Sequence, residues 1–94
     1  MSADFSSIHN HQERLVFAAV SALAPQYGQM RPELLPDVAC VALNRLPPRY
    51  IRHMADLAFY QSGTERDRSQ KELDAAVRYA FEFVQAREAM HARS

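Results

Sequence analysis

The sequence predicts a mainly α-helical single domain: three helices, with a Pro-Pro corner and a short extended or strand segment between the second and third. Two observations predict it. Apolar residues recur at three- and four-residue spacing in three separate stretches, around residues 8–23, 34–46 and 73–84. Prolines and glycines (Pro25, Gly28, Pro32, Pro47, Pro48 and Gly63) fall between those stretches or at their edges.

The first helix is expected from Ile8, capped by Ser6 or Ser7, with Ile8, Leu15, Val16, Ala19, Val20 and Leu23 on one face. Residues 1–6 read as a loose leader. A second stripe carries Asn10, Glu13, Phe17 and Val20. Asn10 and Glu13 suit a local capping arrangement, and Phe17 lies off the main face, at the border of the core or against another subunit. Residues 24–32 form a loop that Tyr27 and Met30 pin down.

The second helix begins among Glu33 to Asp37, where acids suit the positive end of the helix dipole, and ends at Leu46. It is apolar almost all round, with Asp37, Asn44 and Arg45 as exceptions. That marks a central helix packed on more than one side. Cys40, inside it, reads as a small buried hydrophobe rather than a nucleophile. Pro47 and Pro48 then stop the helix, because proline lacks an amide hydrogen and fixes φ.

Residues 50–60 lean to an extended segment. A lone strand needs a partner, and the same strand of a second chain is the expected one. Thr64, with Glu65 and Asp67 in the first turn, starts the third helix, which runs to about residues 89–91. Leu73, Ala76, Val77, Ala80, Phe81 and Val84 make its core face. Tyr79, Phe83, Ala86 and Met90 make a second strip along its edge. Two strips on one helix suggest that it packs its own core and a second subunit, so Phe17, Tyr79, Phe83 and Met90 are the candidate dimer interface.

Composition narrows the function. The chain has 94 residues, 11 basic and 11 acidic, for a formal net charge of zero. That argues against a nucleic-acid binder working by bulk electrostatics. A single cysteine excludes a disulfide framework and a multi-cysteine zinc site within one chain, which fits a reducing cytoplasm. Secretory and membrane-spanning patterns are absent from the sequence, so the expected location is cytoplasmic. His9, His11, His53 and His91 lack ligand spacing, so no metal is expected. There is no Gly-rich phosphate loop and no nucleophile elbow, so the chain is not expected to be an enzyme or to carry a cofactor.

What remains is the stretch from Asn44 to His53. It holds Arg45, Arg49, Arg52 and Tyr50, and no acid occurs between Asp37 and Asp56. Arginine forks suit phosphate or the guanine edge, and tyrosine offers a stacking face. The competing reading is a solvated structural turn whose arginines pair with Asp37, Asp56 or Glu33.

The run Asp37-Val-Ala-Cys-Val-Ala-Leu-Asn-Arg-Leu-Pro-Pro-Arg-Tyr50 resembles the hallmark D-x-x-x-x-A-L-N-x-L-P-P-R-Y of the late competence development family ComFB. Asn10-His-Gln-Glu13, followed by the apolar pair Leu15-Val16, is similar to that family's first-helix pattern. The resemblance implies a small helical bacterial homodimer that acts as a receptor for cyclic di-GMP or cyclic di-AMP in competence, motility or surface behaviour, upstream of an effector protein. Some members bind zinc through cysteines; with Cys40 alone, that property is not carried over. On this reading Arg45, Arg49 and Arg52 would grip phosphate or guanine, Tyr50 would stack, Asp56 would accept from guanine N1/N2, and Asn10, Glu13 and Asn44 would support the corner. The alternative is a dimeric protein-interaction module in which the corner is purely structural.

Overall fold

The computed structural model describes residues 2–93, with the side chains of Tyr60 and Arg93 left out of the description. Four α-helices carry the fold: α1 (His11–Leu23), α2 (Leu35–Asn44), α3 (Leu57–Tyr60) and α4 (Gly63–Arg93). Two-residue strands β1 (His9–Asn10) and β2 (Tyr50–Ile51) pair antiparallel, His9 opposite Ile51 and Asn10 opposite Tyr50. Short 3₁₀ turns occupy Ala24–Tyr27, Pro32–Leu34 and Met54–Asp56. The mainly helical class therefore stands. The extra helix is α3, a single turn inside the segment expected to be extended.

The core is a three-helix junction of α1, α2 and α4. Val16 and Val20 meet Val38, Ala39, Ala42 and Leu46, and both groups meet Leu73, Ala76, Val77, Ala80, Phe81 and Val84. Ala39, Ala42, Ala76 and Ala80 are small enough to let the backbones of α2 and α4 approach closely. Phe81 is the one aromatic fully buried in this cluster, and Tyr27 from the 24–27 turn stacks on it at 4.3 Å between ring centroids, tilted by 3°. Tyr27 and Met30 thus pin the loop as expected.

Several boundaries move. α1 starts at His11 rather than Ile8, because its cap is the Asn10 side chain, whose Oδ1 accepts from the Gln12 amide at 3.2 Å. Ile8 lies before the helix and is half exposed. α4 starts at Gly63, one residue before Thr64, with the Ser62 hydroxyl accepting from the Glu65 amide at 3.1 Å. It runs on to Arg93, two residues past the expected end. Cys40 is exposed, not buried. The buried side of α2 is set by Val38, Ala39 and Ala42, and Cys40 turns away from it together with Pro36 and Asn44.

The largest correction concerns the strand after the Pro-Pro corner. Its partner is β1 of the same chain, not a second chain. The residues just before α1 are extended because Asn10 must hold a non-helical cap conformation (φ −84°, ψ 109°), and β2 pairs with that extended pair. Beyond it, Asp56 Oδ2 accepts from the His53 amide at 3.0 Å and closes the turn that leads into α3.

Asn10 Oδ1 also accepts from the Arg49 amide at 2.8 Å. Replacing Asn10 with Ala removes a helix cap and leaves the Arg49 N–H without its partner. The expected loss is about 1–2 kcal/mol, which for a domain of this size lowers Tm by roughly 4–16 °C. A melting curve of Asn10→Ala superimposable on wild type would contradict this role.

Candidate functional site

The site grows out of the junction between the start of α1 and the Pro-Pro corner. Neither proline has an amide to offer, so the corner is held by other groups. The Gln12 side-chain amide donates to the Pro47 carbonyl at 3.0 Å, and the His11 backbone amide donates to the Arg49 carbonyl at 2.7 Å. With the Asn10 bond, both backbone polar groups of Arg49 are satisfied by the first turn of α1. Ile51, buried to 3 %, anchors the strand that follows.

Arg49 sits on the wall of a cleft of about 410 Å³ between the start of α1, the corner, α3 and the first three turns of α4. Leu15, Leu57, Ala58 and Leu73 supply its apolar lining. Gln12, Gln61, Ser69 and Gln70 add polar groups, and Arg49 and Arg66 add two positive charges without any carboxylate on the lining. Gln61 and Ser69 are joined, the amide Nε2 donating to the hydroxyl at 3.1 Å.

His11 completes the wall. It is the only polar residue among the described ones that is buried, at 6 % exposure, and no protein group hydrogen-bonds to its Nδ1. Burial lowers its pKa below the ordinary histidine value, and the nearby charges of Arg14 and His9 push the same way. Both effects favour the uncharged ring in the folded protein.

The predicted ligand residues divide. Arg49 alone lines the cleft. Tyr50 lies on β2 opposite Asn10 and is 63 % exposed, its ring free on the surface. Arg52 is exposed, and its Nε donates to the Ser7 hydroxyl at 3.1 Å. Arg45 goes elsewhere: its guanidinium carbon lies 3.8 Å from the Tyr79 ring centroid, a cation–π contact, and it lines a separate groove with Leu46, Pro47 and Glu72. The three arginines thus do not converge on one pocket. Asp56 is engaged with the His53 amide and is not on the cleft lining. Among the supporting residues, Asn10 clamps the corner, while Glu13 and Asn44 are exposed.

Of the three carboxylates that a purely structural corner would use, Glu33 is exposed and makes no ion pair among the described residues, and the other two are engaged elsewhere. Asp37 pairs with Arg87 at 3.2 Å, and Asp56 closes its own turn. Among the described residues, Arg49 makes no ion pair. The candidate interface residues Phe17, Tyr79, Phe83 and Met90 are all substantially exposed, at 39–68 %. Tyr79 and Phe83 stack on one another at 6.0 Å, and Phe17 flanks an apolar groove with Pro36, Cys40 and Leu43.

Sequence reading missed His11, Gln12, Gln61, Arg66, Ser69 and Gln70 as cleft residues. Gln12 had a signal, since it stands beside the Asn10 cap. Arg66, Ser69 and Gln70 had none, because they lie on the face of α4 that periodicity marks as solvated.

The fold is thus a helical domain in which one cleft, among those described, gathers two arginines and no carboxylate. Residues 9–88 match the family described as late competence development protein ComFB, and the chain belongs to that family. No curated protein matches the chain. No helix among the described residues is long and apolar enough to cross a membrane.

The lowered pKa of the buried His11 has a measurable consequence. Its folded-state pKa is depressed, so its contribution to stability is complete above the unfolded value of about 6.5 and is lost as pH falls from there through the folded value. Tm should fall between about pH 7.5 and pH 5.5, and His11→Gln, neutral at every pH, should flatten part of that fall. Parallel Tm profiles for the two proteins would assign the pH dependence to other groups.

Proposed function

We propose that this chain is a non-catalytic receptor for a cyclic dinucleotide, cyclic di-GMP or cyclic di-AMP. In this reading it acts as a homodimer in competence, motility or surface behaviour and passes its state to an effector protein. Membership of the ComFB family supports the competence setting. The observation that carries the ligand reading is Arg49, held by its backbone on the first turn of α1, on the wall of a cleft without carboxylates, and paired with no acid among the described residues. A guanidinium at a cleft wall without a counter-charge is suited to an anion arriving from outside.

The surrounding groups suit a nucleotide. Tyr50 presents an open ring face beside Arg49, and Arg52 keeps most of its N–H donors after its one bond to Ser7. A two-fold dimer would present this corner twice, matching the two phosphates and two bases of a cyclic dinucleotide. Arg45 fits better as part of the interaction surface, where it covers the Tyr79 ring. The rival reading, a structural corner, calls for Arg49 paired with Asp37 or Asp56, and both acids are engaged elsewhere.

Binding at 100 times Kd should stabilise the fold by about 2.7 kcal/mol per site. A thermal-shift assay with cyclic di-GMP and cyclic di-AMP should therefore show a clear rise in Tm for wild type and none for Arg49→Ala. Absence of any shift with both nucleotides at high concentration would refute the receptor reading.

The dimer makes its own demand. Phe83, 44 % exposed and stacked on Tyr79, would sit inside the contact. Gel filtration with light scattering should give twice the chain mass for wild type and the single-chain mass for Phe83→Glu. A monomeric wild type would contradict the assembly, and an unaffected Phe83→Glu dimer would move the interface elsewhere.

A further inference from the structure

The cleft beside Arg49 has a second wall, made by α4. Arg66 stands there with an exposed side chain that makes no ion pair among the described residues. The other grooves that hold an arginine also hold an acid. Arg31 pairs with Glu88 at 3.5 Å in one, and Arg45 shares the other with Glu72. In a chain of zero net charge, this cleft alone among those described gathers two arginines and no carboxylate. A second observation points the same way: the imidazole of His11, buried to 6 % exposure on the cleft wall, has a nitrogen that no protein group satisfies. A buried polar atom without a protein partner is uncommon and calls for an explanation.

We infer that Arg66 is a ligand-binding residue, the partner of Arg49 across the cleft, and that the two guanidinium groups together take the phosphate of a nucleotide whose base lies on the apolar floor of Leu15, Leu57 and Leu73. This rests on the reading of Arg49 as a ligand contact and extends it to a helix outside the hallmark motif. Guanidinium forks on two sides of a phosphodiester supply the planar, paired donors that such a group accepts. The leucines provide the apolar surface that a base covers, as in most small-molecule pockets. Gln61 spends one amide hydrogen on Ser69 and keeps its carbonyl, and Gln70 makes no side-chain hydrogen bond among the described residues. Both can therefore donate and accept at a base edge.

The test compares wild type, Arg49→Ala, Arg66→Gln and Arg68→Gln by calorimetric titration with cyclic di-GMP, cyclic di-AMP, GMP and AMP. Arg68 lies two residues along the same helix, outside the cleft lining, and controls for loss of one positive charge. Circular dichroism and Tm of the ligand-free Arg66→Gln protein should match wild type, since the side chain has no hydrogen-bond or ion-pair partner among the described residues to lose. The expected result is binding of a cyclic dinucleotide by wild type, weakened at least tenfold by Arg49→Ala and by Arg66→Gln and unchanged by Arg68→Gln. If Arg66→Gln binds as wild type, or Arg68→Gln is equally weakened, the Arg66 assignment fails while the receptor reading stands. If wild type binds GMP or AMP in an Arg66-dependent way but no cyclic dinucleotide, the cleft assignment stands and the receptor reading fails. Binding of none of the four overturns both.

Discussion

One side chain ties the two halves of this fold together. Asn10 Oδ1 accepts from Gln12 and from Arg49, so a single amide oxygen both starts α1 and fixes the chain leaving the Pro-Pro corner. Around it lie the His11–Arg49 backbone bond, the Gln12–Pro47 bond and the two-residue β ladder. Each bond contributes on the order of 1 kcal/mol, and their effect is geometric as much as energetic. A corner with two consecutive prolines has few donors of its own, so without these bonds it would be oriented only by the end of α2. With them, Arg49 and Tyr50 hold a fixed relation to α1 and, through the common core, to α4.

Much of this was legible in the sequence, for identifiable reasons. The helical class followed from apolar spacing, and the corner from two prolines whose conformational limits hold in any context. The core face of α4 matched residue for residue because a long amphipathic helix has an unambiguous period: the expected positions Leu73, Ala76, Val77, Ala80, Phe81 and Val84 are the buried ones. Where the reading failed, tertiary pairing decided. Ile8 looked like the first core residue of α1, yet a side chain two positions later caps the helix and draws its start forward. Residues 50–60 have no strong period, and their outcome depends on β1 and on the Asp56 turn, neither of which is local to Tyr50. Cys40 was misplaced because α2 is so apolar that composition does not reveal which side faces out.

The site was half legible. Arg49 was found because it lies in a motif rigid enough to be read as a corner. Arg66, Ser69 and Gln70 come from the solvated face of α4, and only the approach of α3 and α1 turns that face into a wall of a cleft. Arg45 shows the opposite error. Close to Arg49 in sequence, it is carried by the end of α2 toward Tyr79 and serves the aromatic strip instead. The chain thus separates two surfaces, a cationic cleft on one side of the corner and an exposed aromatic strip with a cation over it on the other. On the proposed receptor reading, the clamped corner with α2 and α4 would be the element that joins the two surfaces.

The central claim is that the clamped corner presents Arg49 to a ligand in the cleft between α1, α3 and α4. Chemical-shift mapping of the ¹⁵N-labelled protein during titration with a cyclic dinucleotide tests it most directly. The account predicts that the amides of His11, Arg49, Leu57, Arg66 and Gln70 shift together along one saturating curve. Saturating shifts confined to the Tyr79–Phe83 strip and the groove beside Cys40, with the cleft amides unmoved, would contradict it.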